Sequence, residues 1–177
     1  LAQLEGSPRP APDRWVAVRH LVEQALAEAR PLSSGRHEIV AQHAEEVELA
    51  GSSTELQSAL GNLVTNAVRY TPVGGRIEVR WVVRPDGSGC FEVSDTGPGI
   101  AREHLSRLTE RFYRVDGGRS RESGGTGLGL SIVKHVMQRH AGEIQIESEP
   151  GQGSTFRLVF PSSRVRFVSA AIDAPID

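Results

Sequence analysis

Three stretches of the chain carry apolar residues at helical spacing, and short runs that alternate apolar with polar lie between them. After Asp13, a good N-cap type, Val18, Leu21, Val22, Ala25 and Leu26 predict a helix from Trp15 to Ala29, stopped by Pro31 and the Ser-Ser-Gly run. Residues 37–50 predict two short strands around a turn. Ser52 and Glu55 have capping-box spacing, and Leu56, Leu60, Leu63, Val64 and Ala67 form one apolar stripe on a helix that ends near Tyr70, before Pro72 and Gly74-Gly75. Ile77, Val79, Trp81 and Val83 alternate as a strand, Pro85-Asp86-Gly87 turns the chain, and Phe91 and Val93 lie on the return strand. A third helix is predicted from Leu130 to His140, closed by Gly142. Ile144 and Ile146, then Phe156, Leu158 and Phe160, predict a last strand pair across Gly-Gln-Gly. This order is an α+β pattern: a two-layer α/β sandwich with helices on one face of a mixed, mostly antiparallel sheet.

Composition narrows the picture. The 177 residues suit one domain, with 38% hydrophobic and 24% charged residues. A net charge of −2 and a pI near 6.3 give no basic footprint, so no nucleic-acid partner is expected. The single cysteine, Cys90, excludes an internal disulfide framework and reads as a small, partly buried strand residue in a cytosolic protein. No apolar run reaches the roughly 18 residues of a membrane span. The chain does not begin with Met, which leaves room for an upstream membrane anchor. Residues 1–12, with Pro8, Pro10 and Pro12, are expected to be a helix end and linker, 13–161 the domain, and 162–177 a tail in which Val165 and Phe167 could add an edge strand.

Three groups of residues suggest chemistry. Asn62, Asn66 and Arg69 share a face of the second helix, away from the leucine stripe. That face could be solvated; it could also complete a Mg²⁺ shell and neutralise phosphate. Asp95 lies on the same strand side as Phe91 and Val93, expected to face the core, where a carboxylate needs a donor such as an exocyclic amine. Gly97 and Gly99 would let the backbone pass beneath a flat base; a plain Asp-Gly turn would explain them equally. Gly124-Gly125-Thr126-Gly127-Leu128-Gly129-Leu130 leads into the third helix and could cradle phosphate on free N–H groups, or act as a hinge.

Taken in order, Asn62-x3-Asn66-Ala-x-Arg69-Tyr70, Asp95-x-Gly97-x-Gly99-Ile100, Glu110-Arg-Phe112-Tyr-Arg114-Val-Asp116, Gly125-Thr-Gly127-Leu-Gly129-Leu130 and Gly151-x-Gly153-Ser-Thr155-Phe resemble the five nucleotide-binding boxes of sensor histidine kinases. The resemblance covers roughly residues 13–161, and the region around Arg107–Asp116 is most similar to the phosphate-regulon branch. It implies the Bergerat ATP-binding fold of the GHKL superfamily. It also implies ATP and Mg²⁺ as cofactors and transfer of the γ-phosphoryl to histidine. Asn66 would bind the metal with Asn62 assisting, Arg69 would contact phosphate, and Tyr70 would flank the nucleotide. Asp95 would accept the adenine amine, with Gly99 packing against the base, and Gly97, Ile100 and Thr155 would be further ATP-binding residues. Gly125, Gly127, Leu128 and Gly129 would wrap the phosphates, Thr126 and Leu130 would also bind ATP, and Arg114 would stabilise the moving phosphoryl group. Residues 112–127 would be an ATP lid.

One departure separates branches of that superfamily. Where its ATPases carry a water-activating Glu, this chain has Asn62, and a carboxamide is no general base near neutral pH. Tight binding with little hydrolysis is therefore expected, which disfavours a self-contained ATPase. A degenerate nucleotide-binding module and a serine kinase on the same fold also compete with the kinase reading. None of His20, His37, His43, His104, His135 and His140 has the acidic and proline context of an acceptor, so each reads as a surface or helix-end histidine. The resemblance then implies an acceptor on an absent dimerisation domain, a response regulator as the further partner, and a monomeric fragment of a homodimeric protein anchored in the inner membrane.

Overall fold

The computed structural model describes residues 14–42, 46–110 and 129–168. Its elements in chain order are β1 (Trp15–Ala17), α1 (Val18–Ser33), β2 (Glu38–Gln42), β3 (Val47–Ala50), α2 (Ser53–Tyr70), β4 (Arg76–Val83), β5 (Gly89–Asp95), a short α3 (Arg102–Leu105), α4 (Gly129–Arg139), β6 (Glu143–Ser148), β7 (Ser154–Phe160), a 3₁₀ turn (Ser162–Arg164) and β8 (Val165–Phe167). Five strands form one sheet in the order β2-β4-β5-β7-β6, parallel only between β2 and β4. Three others form a small antiparallel sheet, β1-β3-β8.

Strand alternation gives the large sheet two unlike faces. Ile77, Val79 and Trp81 of β4 sit beside Phe91 and Val93 of β5, which sit beside Leu158 and Phe156 of β7. These residues share one core with Leu21, Val22 and Ala25 of α1, Leu56, Leu60, Leu63 and Val64 of α2, and Val133, Val136 and Met137 of α4. The two-layer sandwich with its helices on one face is therefore present. Trp81 is a core residue, meeting Phe91 edge-on at 4.8 Å. The opposite face carries charges in rows: Arg76 pairs with Glu38 and Glu78 at 3.1 Å each, Arg80 with Glu92, and Arg157 with Glu92 at 2.7 Å and Glu147 at 2.9 Å. Burial opposes the charge on Glu92, but the guanidinium groups of Arg157 and Arg80 outweigh it and hold its carboxyl below the usual range.

Several boundaries differ from the sequence expectation. Residues 15–17 are a strand, because pairing with β3 gives their backbone partners; the helix begins at Val18 with no side-chain cap, and Asp13 lies outside the described residues. Pro31 lies inside α1. It falls in the last turn, and the helix is closed beyond it by Ser34, in the left-handed region, and by Arg36, whose guanidinium donates to the carbonyls of Ser33 (2.9 Å) and Leu32 (3.0 Å). The two strands of 37–50 do not pair with each other; β2 joins the large sheet and β3 the small one. At the end of α4 the left-handed residue is Ala141, while a Cβ on Gly142 would overlap the Val159 carbonyl. Val165–Phe167 does add an edge strand, fastened by Arg164 to the Ala50 carbonyl (3.0 Å) and by Arg166 stacked on Trp15.

The N-terminus of α2 is tied to the end of α4. Ser52 Oγ accepts from Glu55 N–H (3.2 Å), but the other half of the expected capping box is absent, because the Glu55 carboxylate forks onto Arg139 at 2.7 and 3.1 Å. His140, read from sequence as a surface or helix-end residue, is completely buried. Its Nδ1–H donates to the Val136 carbonyl (2.7 Å), and Nε2 accepts from Ser52 N–H (3.2 Å). Burial lowers its pKa and keeps the ring neutral.

Candidate functional site

The polar face of α2 lies where the sequence places it. The leucine stripe is buried, so the helix cannot turn Asn62, Asn66 and Arg69 inward; they line its other side. Asn62 donates back to the Ser58 carbonyl (2.7 Å), which fixes its carboxamide. A Cβ on Gly129, the first residue of α4, would stand 3.1 Å from Asn62 Oδ1 and 3.5 Å from Asn66 Nδ2. Two carboxamides thus meet the start of a second helix, where a side chain would fit only if Asn62 gave way by a few tenths of an ångström. Arg69 and Tyr70 are exposed at the C-terminal end of α2, and among the described residues Arg69 has no ion-pair partner.

Asp95 ends β5 on the core-facing side, opposite Ile77 and Ser154. Burial raises its pKa, against the stabilising N–H groups of Gly97 and Ser154; the Gly97 bond to Oδ1 is 2.9 Å. Gly97 is also close to the end of α2: a Cβ there would stand 2.9 Å from Asp95 Oδ1, 3.2 Å from the Tyr70 carbonyl and 3.5 Å from Thr71 Oγ1. The Asp95 loop and the polar end of α2 therefore form one place. The loop is held from below by the β6–β7 turn. Gly151 N–H donates to the Pro98 carbonyl (2.7 Å), Ile100 N–H to Ser148 Oγ (2.8 Å), and Ser148 Oγ in turn to the Gly153 carbonyl (2.9 Å).

Three of the expected residues have surroundings of their own. Gly99 has φ +76° and a Cβ there would overlap the Glu149 carbonyl, so the β6–β7 turn already requires glycine at this position without any base. Thr155 pairs with Ser94 on the outer face of the sheet, its Oγ1 3.0 Å from Ser94 Oγ, which puts it on the wrong side for a ligand at Asp95; Ser154 holds the inward place. Leu130 packs against the core. Arg114, Gly125, Thr126, Gly127 and Leu128, and with them the expected lid, lie outside the described residues. Sequence reasoning missed Ser148, Ser154 and Thr71. For Ser154 the signal was available, since strand alternation from Phe156 and Leu158 places it, and not Thr155, on the inner face.

The donor set suits a nucleotide. A half-buried carboxylate can accept from an exocyclic amine, neutral carboxamides can complete the shell of a phosphate-bound cation, and an exposed guanidinium can meet phosphate. Two histidines are unsuited to accept a phosphoryl group. Both ring nitrogens of His140 are engaged, as are those of His37, with Ser33 Oγ (2.8 Å) and the Thr71 carbonyl (2.7 Å).

Residues 51–164 match the family described as histidine kinase-, DNA gyrase B-, and HSP90-like ATPase. The chain is 49% identical over 166 residues to the phosphate regulon sensor protein PhoR of Pseudomonas aeruginosa, covering 93% of this chain and 37% of that protein. It is 38% identical over 172 residues to the sensor-like histidine kinase SenX3 of Mycobacterium tuberculosis, covering 92% of this chain and 40% of that one. The chain therefore spans well under half the length of these relatives. Among solved structures it resembles the mycobacterial sensor histidine kinase MprB, with a TM-score of 0.75 and 28% identity over 88% of this chain and all of that one.

Proposed function

The chain belongs to the histidine kinase-, DNA gyrase B-, and HSP90-like ATPase family, and from that premise we propose that it is the catalytic half of a sensor histidine kinase. In this reading it binds Mg-ATP between α2 and the Asp95 loop and passes the γ-phosphoryl to a histidine on a separate dimerisation domain. Relay to a response regulator follows, in phosphate-starvation signalling. The observation that carries the reading is that one helix, α2, sets Asn62 and Asn66 against Gly129 and its end against Gly97 and Asp95.

Roles follow from chemistry. Asp95 accepts the base's amine. Asn66 gives its carboxamide oxygen to Mg²⁺, and Asn62, fixed by Ser58, supports it. Arg69 faces phosphate and Tyr70 flanks the nucleotide. Gly97 and Ile100 carry the backbone past the base, with Ile100 positioned by Ser148. Arg114 and Gly125 to Gly129 complete the phosphate side. Bound Mg²⁺ would neutralise charge on the phosphate oxygens. The chain supplies no carboxylate beside Asn66 on α2 to take a proton from water, so the phosphoryl group is kept for an imidazole acceptor. The full-length protein is proposed to be a homodimer anchored in the inner membrane, with this domain on the cytoplasmic side.

Mg²⁺-dependent ATP binding, measured with and without Asn66→Ala and Asp95→Asn, tests the pocket. A separately made acceptor domain added in trans should gain acid-labile phosphohistidine. Binding indifferent to both substitutions, transfer to serine, or fast hydrolysis by the chain alone would each overturn the reading.

A further inference from the structure

The turn after α2 is braced from two sides. Gly74 N–H donates to the Arg36 carbonyl (2.7 Å) and Glu38 N–H to the Gly75 carbonyl (3.0 Å), which ties the turn to the segment between α1 and β2. Arg76 N–H donates to Thr96 Oγ1 (2.9 Å) and Thr96 N–H to the Arg76 carbonyl (3.1 Å), which ties it to the Asp95 loop. Within this frame a side chain reaches the end of α2 itself. His37 Nε2 lies 2.7 Å from the Thr71 carbonyl, and Nδ1 lies 2.8 Å from Ser33 Oγ, which also accepts from His37 N–H (3.1 Å). A carbonyl can only accept, so Nε2 carries the hydrogen and Nδ1 takes that of the Ser33 hydroxyl. Ser33 is 1% exposed and Thr71 5%, so both partners of the ring are closed off from bulk water.

The position of the last turn of α2 depends on that bond. Thr71 N–H closes the helix on the Ala67 carbonyl (3.0 Å), and a Cβ on Gly97 would stand 3.2 Å from the Tyr70 carbonyl. Without the ring, the Thr71 carbonyl is left unmet, or the turn shifts until water meets it. A shift carries along Arg69 and Tyr70, the two exposed residues that precede Thr71. We propose that His37 is a positioning residue for the nucleotide site: through the Thr71 carbonyl it holds Arg69 and Tyr70 in place, without touching the ligand. The inference rests on the nucleotide site proposed above. A nucleotide must restore a displaced turn before it binds, so the loss of the bond is read as lost affinity.

The test uses the whole chain with two substitutions that divide the bonds of the ring. His37→Gln can set its amide nitrogen where Nε2 stands and keep the bond to Thr71. His37→Asn can set its amide where Nδ1 stands, which keeps the Ser33 partner and loses Thr71. His37→Asn should weaken Mg-ATP about three- to tenfold by titration calorimetry, the worth of one hydrogen bond. His37→Gln should stay within about twofold of wild type. Coupling between two events is reciprocal, so saturation with Mg-ATP should slow solvent exchange of the His37 ring hydrogen in the wild-type chain, a nuclear magnetic resonance readout that needs no variant to fold. A bond that serves the fold alone would lower the unfolding temperature of His37→Asn and leave its ATP affinity unchanged, which would overturn the inference. Equal weakening by both variants, or ring exchange indifferent to ATP, would do the same. Asn66→Ala in the same assay separates the two readings: if it weakens ATP while His37→Asn does not, His37 alone is misassigned; if neither weakens ATP, the nucleotide site falls and this inference with it.

Discussion

The two ends of α2 are built to opposite specifications. At the N-terminal end most polar groups are matched: Ser52 caps Glu55, His140 takes the Ser52 N–H, and Glu55 forks onto Nε and Nη2 of Arg139, whose buried Nη1 has no partner among the described residues. Toward the C-terminal end Asn66 lies against the start of α4, Thr71 Oγ1 lies beside Gly97 and Asp95 without a partner among the described residues, and Arg69 and Tyr70 are exposed, so that their capacity is largely unspent. The better matched end holds the fold together, and the unspent capacity at the other end is what the proposed nucleotide would use. The same helix serves both because its buried stripe fixes its rotation and leaves the two ends free to differ.

That contrast can be broken by substitutions at either end. Asn66→Ala should reduce Mg²⁺-dependent ATP affinity by at least about 100-fold, the upper end of what loss of even an outer-shell partner costs. Its thermal midpoint should stay close to wild type; a large drop would show that the C-terminal end is structural after all. His140→Ala should do the reverse, destabilising the chain by about 2–4 kcal/mol through the lost cap and the cavity, with ATP affinity little changed, as read by denaturant unfolding and titration calorimetry.

The two titrating groups sharpen the comparison. His140 is held below its ordinary pKa of 6.5, so between that value and its native pKa the unfolded chain binds more protons. Stability should be level above pH 6.5 and fall as the pH drops below it, and His140→Ala should flatten that slope. Asp95 is raised above its ordinary 3.8, so the native chain holds its proton more readily than the unfolded one. Its ionised form is the one that costs stability and the one that accepts an amine. ATP affinity should therefore fall on acidification through the native Asp95 pKa, while Asp95→Asn binds weakly at every pH. A wild-type affinity independent of pH across that range would remove Asp95 from the base. The smallest effect is expected on the outer face: Arg76→Ala, which loses two exposed pairs, should change stability by no more than about 1 kcal/mol and leave ATP binding alone.

Much of this was legible in the chain. The period of the leucine stripe set the rotation of α2, and the rotation set the polar face with Asn62 and Asn66. Alternation along Phe91 and Val93 turned Asp95 inward. The same rule, applied to β7, would have chosen Ser154 over Thr155. Local signals were weaker at boundaries: Pro31 did not stop α1, because the left-handed Ser34 closes the helix through the Arg30 carbonyl and the Arg36 side chain takes the carbonyls of Leu32 and Ser33.

The sequence alone determined the elements, their buried faces and the residue types of the site, because helical and strand periods are local geometry that side-chain polarity makes visible. Tertiary structure alone decided that β2 and β3 part into different sheets, that a histidine 88 residues away caps α2, that Gly99 answers to the Glu149 carbonyl, and that the hydroxyl of Thr71 is left without a partner beside Asp95. Each of these depends on which distant backbone or side-chain atom arrives within bonding distance, and that is settled by packing the whole core at once.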